Sequence, residues 1–217
     1  NDLDTADVDD VVWGTSSQVC EQSGDLGRMS ALDGGYDIRA SGVTLDRFCG
    51  SGITAVNIAA NSIMAGMEDL VIGGGTEMMS RPKKGLLPMG ALNPHLQEMH
   101  PQSHQGVCAD AIATLEGIPR AALDGLAAES QARAARAIEE GRFDRSLIPV
   151  LNLDGSVALD HEQFPRPGTT AESLAALAPS FPAVADHRHQ DNPTFRELIN
   201  QKYPDLKIEH VHHAGNS

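Results

Sequence analysis

The amino-acid sequence predicts an α/β fold built on parallel strands. Three observations carry that prediction. A strand-like run at residues 43–45, a helical run from Ser51 and a second apolar run at residues 69–73 follow one another at βαβ spacing, which implies parallel strands. Gly and Ala are plentiful while aromatic residues make up only 4% of the chain, a mix that suits helices packed closely on a sheet better than an all-β sandwich. The chain has 217 residues, 41% of them hydrophobic, enough for one large domain or a domain with an inserted module.

Taken in order, the acidic residues 2–10 lead into Val11-Val12-Trp13-Gly14, a short apolar run that reads as a buried strand. Residues 16–23 read as a loop entering a helix, and 31–41 as part helix, part turn. Val43 and Thr44 are β-branched and favour extension. Beyond Ser51, the residues Ile53, Val56, Asn57, Ala60 and Met64 recur at helical spacing, so a helix is expected over 51–65 with Gly66 as its C′ residue. Gly73-Gly74-Gly75-Thr76-Glu77-Met78-Met79-Ser80 lacks the spacing of a P-loop or a dinucleotide fingerprint and reads as a tight structural turn. Residues 82–105, rich in proline and histidine and without period, read as a functional loop. Helices are expected over 106–116 and 120–141, the second with Leu126, Ser130, Ala134 and Ile138 on one face and Gly141 at its end. Residues 148–150 and 157–159 read as short strands. Thr169 or Thr170 should cap a helix that has Glu172 in its first turn and stops at Pro179. A further helix over 194–203 and a strand over 208–212 complete the chain.

Composition bounds the function. A net charge of −14 argues against nucleic acid and against an anionic membrane surface, though a local basic pocket could still take an anionic small molecule. No run of 18 apolar residues is present, so no membrane span is expected. Three widely spaced cysteines make neither a disulfide framework nor a zinc site; a reducing compartment follows, and a cytoplasmic location is expected, with an organelle left open. Of the nine histidines, His210 and His212 would face the same side of a strand. No Asp, Glu or Cys completes a metal site at familiar spacing, so surface and loop histidines are the expectation. His187 and His189 are expected to be exposed. Lys83, Lys84 and Arg166 are either solvated loop charges or anion contacts, and Cys20 and Cys108 read as structural.

The stretch best able to carry chemistry is residues 42–52, where Cys49 sits between strand and helix, flanked by Gly50, Gly52 and the capping-type Ser51. N–H groups at a helix start are unpaired, and the helix dipole favours the thiolate form of a thiol held there. Without a Cβ, Gly50 and Gly52 let a substrate carbonyl approach the backbone. That is the arrangement of a nucleophile elbow with sulfur in place of oxygen; the alternative is a small, buried, inert cysteine. His104, just ahead of a helix, is either a carbonyl-polarising or acid/base partner, or an ordinary loop histidine.

The combined pattern resembles the thiolase family, the acetyl-CoA C-acyltransferases and C-acetyltransferases. The resemblance is carried by Asp46-Arg47-Phe48-Cys49-Gly50-Ser51-Gly52, the glycine-rich segment 73–80, Ser130-Gln131 through Gly141-Arg142-Phe143, Arg166-Pro167-Gly168-Thr169-Thr170, Pro179-Ser180-Phe181 and Ala214-Gly215-Asn216-Ser217, in the family's order. It implies a thiolase-like layered α/β core, present as an incomplete N-terminal half, with an inserted, mainly helical loop domain. Residues 1–80 would be the nucleophile-bearing part, 81–205 the loop domain covering CoA, and 206–217 a return strand into the core. It further implies acyl transfer between 3-ketoacyl-CoA and CoA, or the reverse Claisen condensation, through an acyl-Cys49 intermediate. His104 would line the acyl-CoA tunnel, Arg166 and Phe181 would contact the nucleotide and pantetheine portions, and Ser217 would stand beside the position of the family's CoA-contacting serine. CoA is a substrate, so no cofactor is implied; the intact enzyme would be a homodimer or homotetramer.

Two departures bear on this. Gln105 replaces the family's usual methionine after the loop histidine, which alters the acyl pocket. The family's Asn-Glu loop, Gly-His-Pro segment and Cys-x-Gly-Gly-Gly segment do not occur in residues 1–217, and the first strand and helix are also missing, so an inactive fragment of a longer enzyme is expected. A ketoacyl-synthase-type condensing enzyme and a non-catalytic acyl-CoA-binding protein are the rival readings.

Overall fold

In the computed structural model, residues 3–79 and 93–217 are described. They fall into two units, residues 1–84 and 85–217.

The first unit is built on β1 (Asp10–Gly14), followed by α1 (Leu26–Asp33), β2 (Val43–Leu45), α2 (Ser51–Met64) and β3 (Val71–Gly75). The strands form one parallel sheet in the order β2-β1-β3, with Val12 opposite Val43 on one side and Gly73 on the other. The expected β2-α2-β3 unit is present and parallel, but its strands are not neighbours, because β1 lies between them. Both faces of β1 are covered, which is why its sequence reads as a continuous apolar run. Successive side chains alternate: Val11 packs with Val8, Ala31 and Ala40 on the α1 side, and Val12 with Ala55 and Ala59 of α2 on the other. α2 ends as the sequence predicts. Gly66 has φ +69°, and the Met67 N–H donates to the Ser62 carbonyl at 3.0 Å, the bond pattern of a Schellman cap.

The second unit contains α3 (Pro94–Met99), α4 (Gln105–Leu115), α5 (Arg120–Glu139), β4 (Val150–Leu151), β5 (Val157–Leu159), α6 (Ala171–Ala175), α7 (Pro182–Ala185) and α8 (Phe195–Asn200). β4 and β5 form an antiparallel hairpin. The core joins Val107 and Ala111 of α4, Ala185 of α7, Phe195, Leu198 and Ile199 of α8, and Ile208. Thr170 and Thr194 cap α6 and α8 in capping boxes with Ser173 and Glu197. Arg120 donates to the carbonyls of Leu174, Ala175 and Leu177, satisfying the C-terminal end of α6. The face of α5 that carries Leu126, Ser130, Ala134 and Ile138 is largely open within this unit: Leu126 is 70% and Ile138 47% exposed.

One expected element is not formed. Residues 208–212 make no strand. A strand's N–H groups must meet carbonyls of a neighbouring strand. Here the Glu209 N–H donates to Thr114 Oγ1, those of Val211 and His212 to Asp110 Oδ1, and that of His213 to Asn216 Oδ1.

Candidate active site

Cys49 is presented by a stitched turn between β2 and α2. Asp46 Oδ1 accepts the Phe48 N–H at 2.7 Å, and Phe48 adopts φ +48°, the left-handed region that few non-glycine residues enter. Ser51 closes the turn: its hydroxyl accepts the Arg47 N–H at 2.8 Å and donates to the Phe48 carbonyl at 2.7 Å. The expected capping role of Ser51 is therefore not the one observed. Its hydroxyl is spent on the turn, Gly50 is the N-cap, and no side chain caps the helix. Among the described residues, the N–H groups of Cys49 and Gly52 meet no acceptor. Two unengaged donors at the positive end of a 14-residue helix flank an exposed thiol.

Gly14 sets how closely α2 approaches the sheet. A Cβ there would lie 2.5 Å from the Ser51 carbonyl carbon and 2.6 Å from its oxygen. Only glycine lets the end of β1 carry the first turn of α2.

The thiol opens into a cleft of about 600 Å³ lined by Gly14, Ser16, Ser17, Phe48, Cys49, Gly52, Val56, Gly74, Gly75, Thr76, Glu77 and Met79, among others. Its far wall is the glycine end of β3 and the residues that follow it. Trp13 Nε1–H donates to Thr76 Oγ1 at 3.1 Å, and the Glu77 carboxylate accepts the Ser16 N–H at 2.9 Å and the Ser17 N–H at 3.3 Å. Hydrogen bonding from the Ser17 hydroxyl, ahead of these N–H groups, holds the Glu77 carboxyl below the usual glutamate range. Gln22, 4% exposed, donates to the Ser17 carbonyl and to Glu77 and accepts the Met78 N–H at 2.6 Å. The structural-turn reading of this segment holds only beyond Gly75: Gly73, Gly74 and Gly75 are paired residues of β3, where glycine lets β1 and α2 lie close. Sequence reasoning missed Gln22 and Glu77 as its braces, and the one available signal was an acidic residue two positions after a glycine run.

In the second unit the structure brings His104 and Phe181 together. His104 is the N-cap of α4, where Nδ1 accepts the Gly106 N–H at 3.1 Å. Nδ1 is thereby an acceptor, so the ring proton sits on Nε2 and is available to a ligand. The ring packs at 5.7 Å from the Phe181 ring and 5.5 Å from that of Phe195. Burial pushes the imidazole below the ordinary histidine range, so it is neutral near pH 7. Gly106 lies directly against the Phe181 ring, where a Cβ would collide.

Arg166 stands apart, in a turn closed by Thr169 Oγ1 donating to the Arg166 carbonyl at 2.8 Å. Its N–H donates to Gln131 Oε1 at 2.7 Å, beside a cleft of about 560 Å³ walled by Ile138, Phe143, Leu147 and Phe164. Its guanidinium is exposed and makes no ion pair among the described residues. Ser217 is exposed, next to Asn216, which is anchored on Asp124 at 2.8 Å.

Several expectations change. The histidines at 210–213 are not surface residues: His213 is fully buried, and His210 and His212 both donate to the buried Asp110. Among the described residues no three His, Cys, Asp or Glu side chains converge as a metal site. His187 and His189 are half-buried, His187 against the Phe195 ring. Cys108 packs on the core as expected, and burial raises its thiol; Cys20 is exposed rather than packed. Lys83 and Lys84 lie outside the described residues. Among the described residues, no helix is long and apolar enough to cross a membrane.

In the first unit a parallel three-stranded sheet presents a thiol at the start of a helix, the architecture of an α/β protein, and the second unit is mainly helical. Comparison with known proteins narrows the class. Residues 1–184 match the family model of the thiolase N-terminal domain. The 3-ketoacyl-CoA thiolase of Shewanella sp. strain ANA-3 is 36% identical over 191 residues, spanning 82% of this chain and 47% of the relative. That of Psychrobacter arcticus is 34% identical over 190 residues, spanning 85% and 48%. Among solved structures, the dimeric peroxisomal thiolase of Saccharomyces cerevisiae superposes with TM-score 0.71 at 30% identity, over 88% of this chain and 48% of that one. The acetyl-CoA acetyltransferase of Bacillus anthracis does so with TM-score 0.69 at 28% identity, over 82% and 48%. The chain belongs to the thiolase family and has its α/β fold. It spans about half the length of the curated relatives it matches.

Proposed function

We propose that the chain supplies the nucleophile and part of the CoA-binding surface of a thiolase-type acyltransferase, acting between 3-ketoacyl-CoA and CoA. The observation that carries this reading is the exposed Cys49 thiol on the turn ahead of α2, beside the unengaged N–H groups of Cys49 and Gly52. In the thiolysis direction the Cys49 thiolate attacks the C3 carbonyl carbon of the 3-ketoacyl-CoA, forming the S–C bond. Negative charge passes to the carbonyl oxygen, where the Cys49 N–H supplies part of an oxyanion hole. Collapse breaks the C2–C3 bond; its electron pair stays on C2, which takes a proton and leaves as acetyl-CoA. The sulfur of a second CoA then attacks acyl-Cys49, releasing a shortened acyl-CoA and restoring the thiolate. Reversed, the same steps are a Claisen condensation.

The second unit supports the CoA part of the reading. His104 offers a neutral Nε2–H donor for an amide or thioester carbonyl, Phe181 an apolar wall for the pantetheine arm, and Arg166 an unpaired fork for phosphate. Residues 1–80 then act as the nucleophile-bearing core and 81–205 as the part covering CoA, with Ser217 at the edge of the CoA contact. No cofactor is required, the whole enzyme is a homodimer or homotetramer, and a cytoplasmic location is part of the reading. The Gly-His-Pro and Cys-x-Gly-Gly-Gly segments that activate the nucleophile and move the α-proton in the family do not occur in residues 1–217, so the 217-residue chain alone should show little or no thiolysis turnover.

The test has two arms. Iodoacetamide near neutral pH, with peptide mapping, should label Cys49 ahead of Cys20 and Cys108; equal labelling of the three overturns the reading. Incubation with acetoacetyl-CoA should leave an acyl group on Cys49 and none in Cys49→Ala. Turnover at the rate of a full-length thiolase would refute the inactivity of the chain alone.

A further inference from the structure

Beneath the surface that carries His104 and Phe181 lies a carboxylate that the chemistry above does not use. Asp110 of α4 is fully buried and receives four hydrogen bonds, all from residues 210–212. His210 Nδ1–H reaches Oδ2 at 2.6 Å and His212 Nδ1–H reaches Oδ1 at 2.7 Å, while the N–H groups of Val211 and His212 meet Oδ1 at 3.0 Å each. The connection continues outward. The His212 carbonyl accepts the Ser180 N–H at 3.0 Å, and Ser180 directly precedes Phe181. At the other end, Asp110 lies on the helix that His104 caps. One carboxylate thus ties the element bearing His104 to the backbone that sets Phe181.

We infer that Asp110, acting through His212, is a positioning residue that holds His104 and Phe181 in register to face CoA; this rests on the CoA-binding reading above. The geometry makes the tie depend on charge. An ionised carboxylate has acceptor sites for all four donors, whereas an amide in its place turns one donor group toward an imidazole N–H or a backbone N–H. The other charged groups nearby do not substitute for it. Arg196 of α8 faces His210 Nε2 at 3.4 Å and is itself paired with Asp186, which follows α7.

The experiment uses the 217-residue chain with coenzyme A as the probe. Asp110→Asn, His212→Leu and His212→Asn are compared by calorimetric CoA binding, by histidine-ring NMR, and by thermal melts that identify a temperature at which each variant is folded. His212→Asn keeps an N–H donor near the Nδ1 position. Wild type should show hydrogen-bonded Nδ1–H signals from both His210 and His212. Asp110→Asn and His212→Leu should each weaken CoA binding about tenfold or more in the folded state, and His212→Asn should recover most of it. Unchanged affinity in folded Asp110→Asn overturns the inference, as does equal binding by His212→Leu and His212→Asn. If Asp110→Asn does not fold, the two His212 variants decide. If wild type binds no CoA, the CoA reading fails instead. Asp110 is then judged by whether the His104 ring signals and the Phe181 ring signals shift together in His212→Leu and return in His212→Asn; their staying in place overturns it.

Discussion

Replacing Ser51 by alanine should destabilise the chain by about 1.5–3 kcal/mol and disturb Cys49 without touching it. Ser51 is 4% exposed, so water does not readily replace its hydroxyl. The Phe48 carbonyl keeps the Ser51 N–H at 3.0 Å, and loses only its second donor, worth about 0.5–1 kcal/mol. The Arg47 N–H, part-buried on an exposed residue, loses its acceptor altogether at about 1–2 kcal/mol. Phe48 holds a backbone conformation that is itself unfavourable by about 1 kcal/mol or more, so loosening the stitch invites the turn to relax. For a chain of this size each kcal/mol moves the melting temperature by about 2–4 °C, which puts the expected drop at about 3–12 °C. Circular dichroism melts measure it, and the rate of Cys49 alkylation at 25 °C reads the turn directly. A melting temperature within about 1 °C of wild type, with unchanged alkylation, would mean that the Ser51 hydroxyl does not hold the turn.

Two further outcomes follow from the packing at Gly14 and from the buried Asp110. Gly14→Ala should lower the melting temperature markedly and change Cys49 alkylation, because its Cβ meets the Ser51 backbone at 2.5 Å; Gly50→Ala, whose Cβ first meets the Arg47 carbonyl oxygen at 3.4 Å, should be nearly neutral. Similar melts for the two variants would contradict the packing argument. Burial tends to raise the Asp110 carboxyl, but hydrogen bonds from His212, His210 and the two N–H groups outweigh it and leave the group below the usual carboxylate range. A carboxylate held low in the folded state stabilises fully above its unfolded value and loses that contribution as pH falls through its folded value. The stability gap between wild type and Asp110→Asn should therefore be about 2–4 kcal/mol at neutral pH and close as the carboxyl is protonated, below about pH 4. Urea melts from neutral to acid pH check it, and a gap that stays open at the lowest pH at which both chains fold would reverse the sign of the argument.

Features legible from the sequence were those whose causes are local. The cap at Thr170, the left-handed exit at Gly66 and the strand-to-helix junction at Cys49 each depend on neighbours a few residues away, and each forms where the spacing places it. Family motifs were legible for the same reason, since they are short contiguous strings. The Ser51 hydroxyl was misassigned even though its partners are local, because a helix N–H and a turn N–H were equally within its reach.

Long-range pairings were not legible. Gln22 meets Glu77 and Met78 across the sheet, and Asp110 meets His210 and His212 from a distant part of the chain. A lone acid among the apolar residues of α4 was the only hint of the latter. The sequence alone determined the parallel α/β class, the exit of α2 at Gly66, the cap of α6 at Thr170 and the placing of a thiol at a helix start, because backbone geometry and side-chain period act over a few residues. Only the tertiary structure decided that β1 lies between β2 and β3, that residues 208–212 bond to side chains instead of a strand, and that three histidines expected at the surface are tied to buried carboxylates. Those outcomes depend on which distant groups packing brings within hydrogen-bond reach, and on the cost of burying any polar group without a partner.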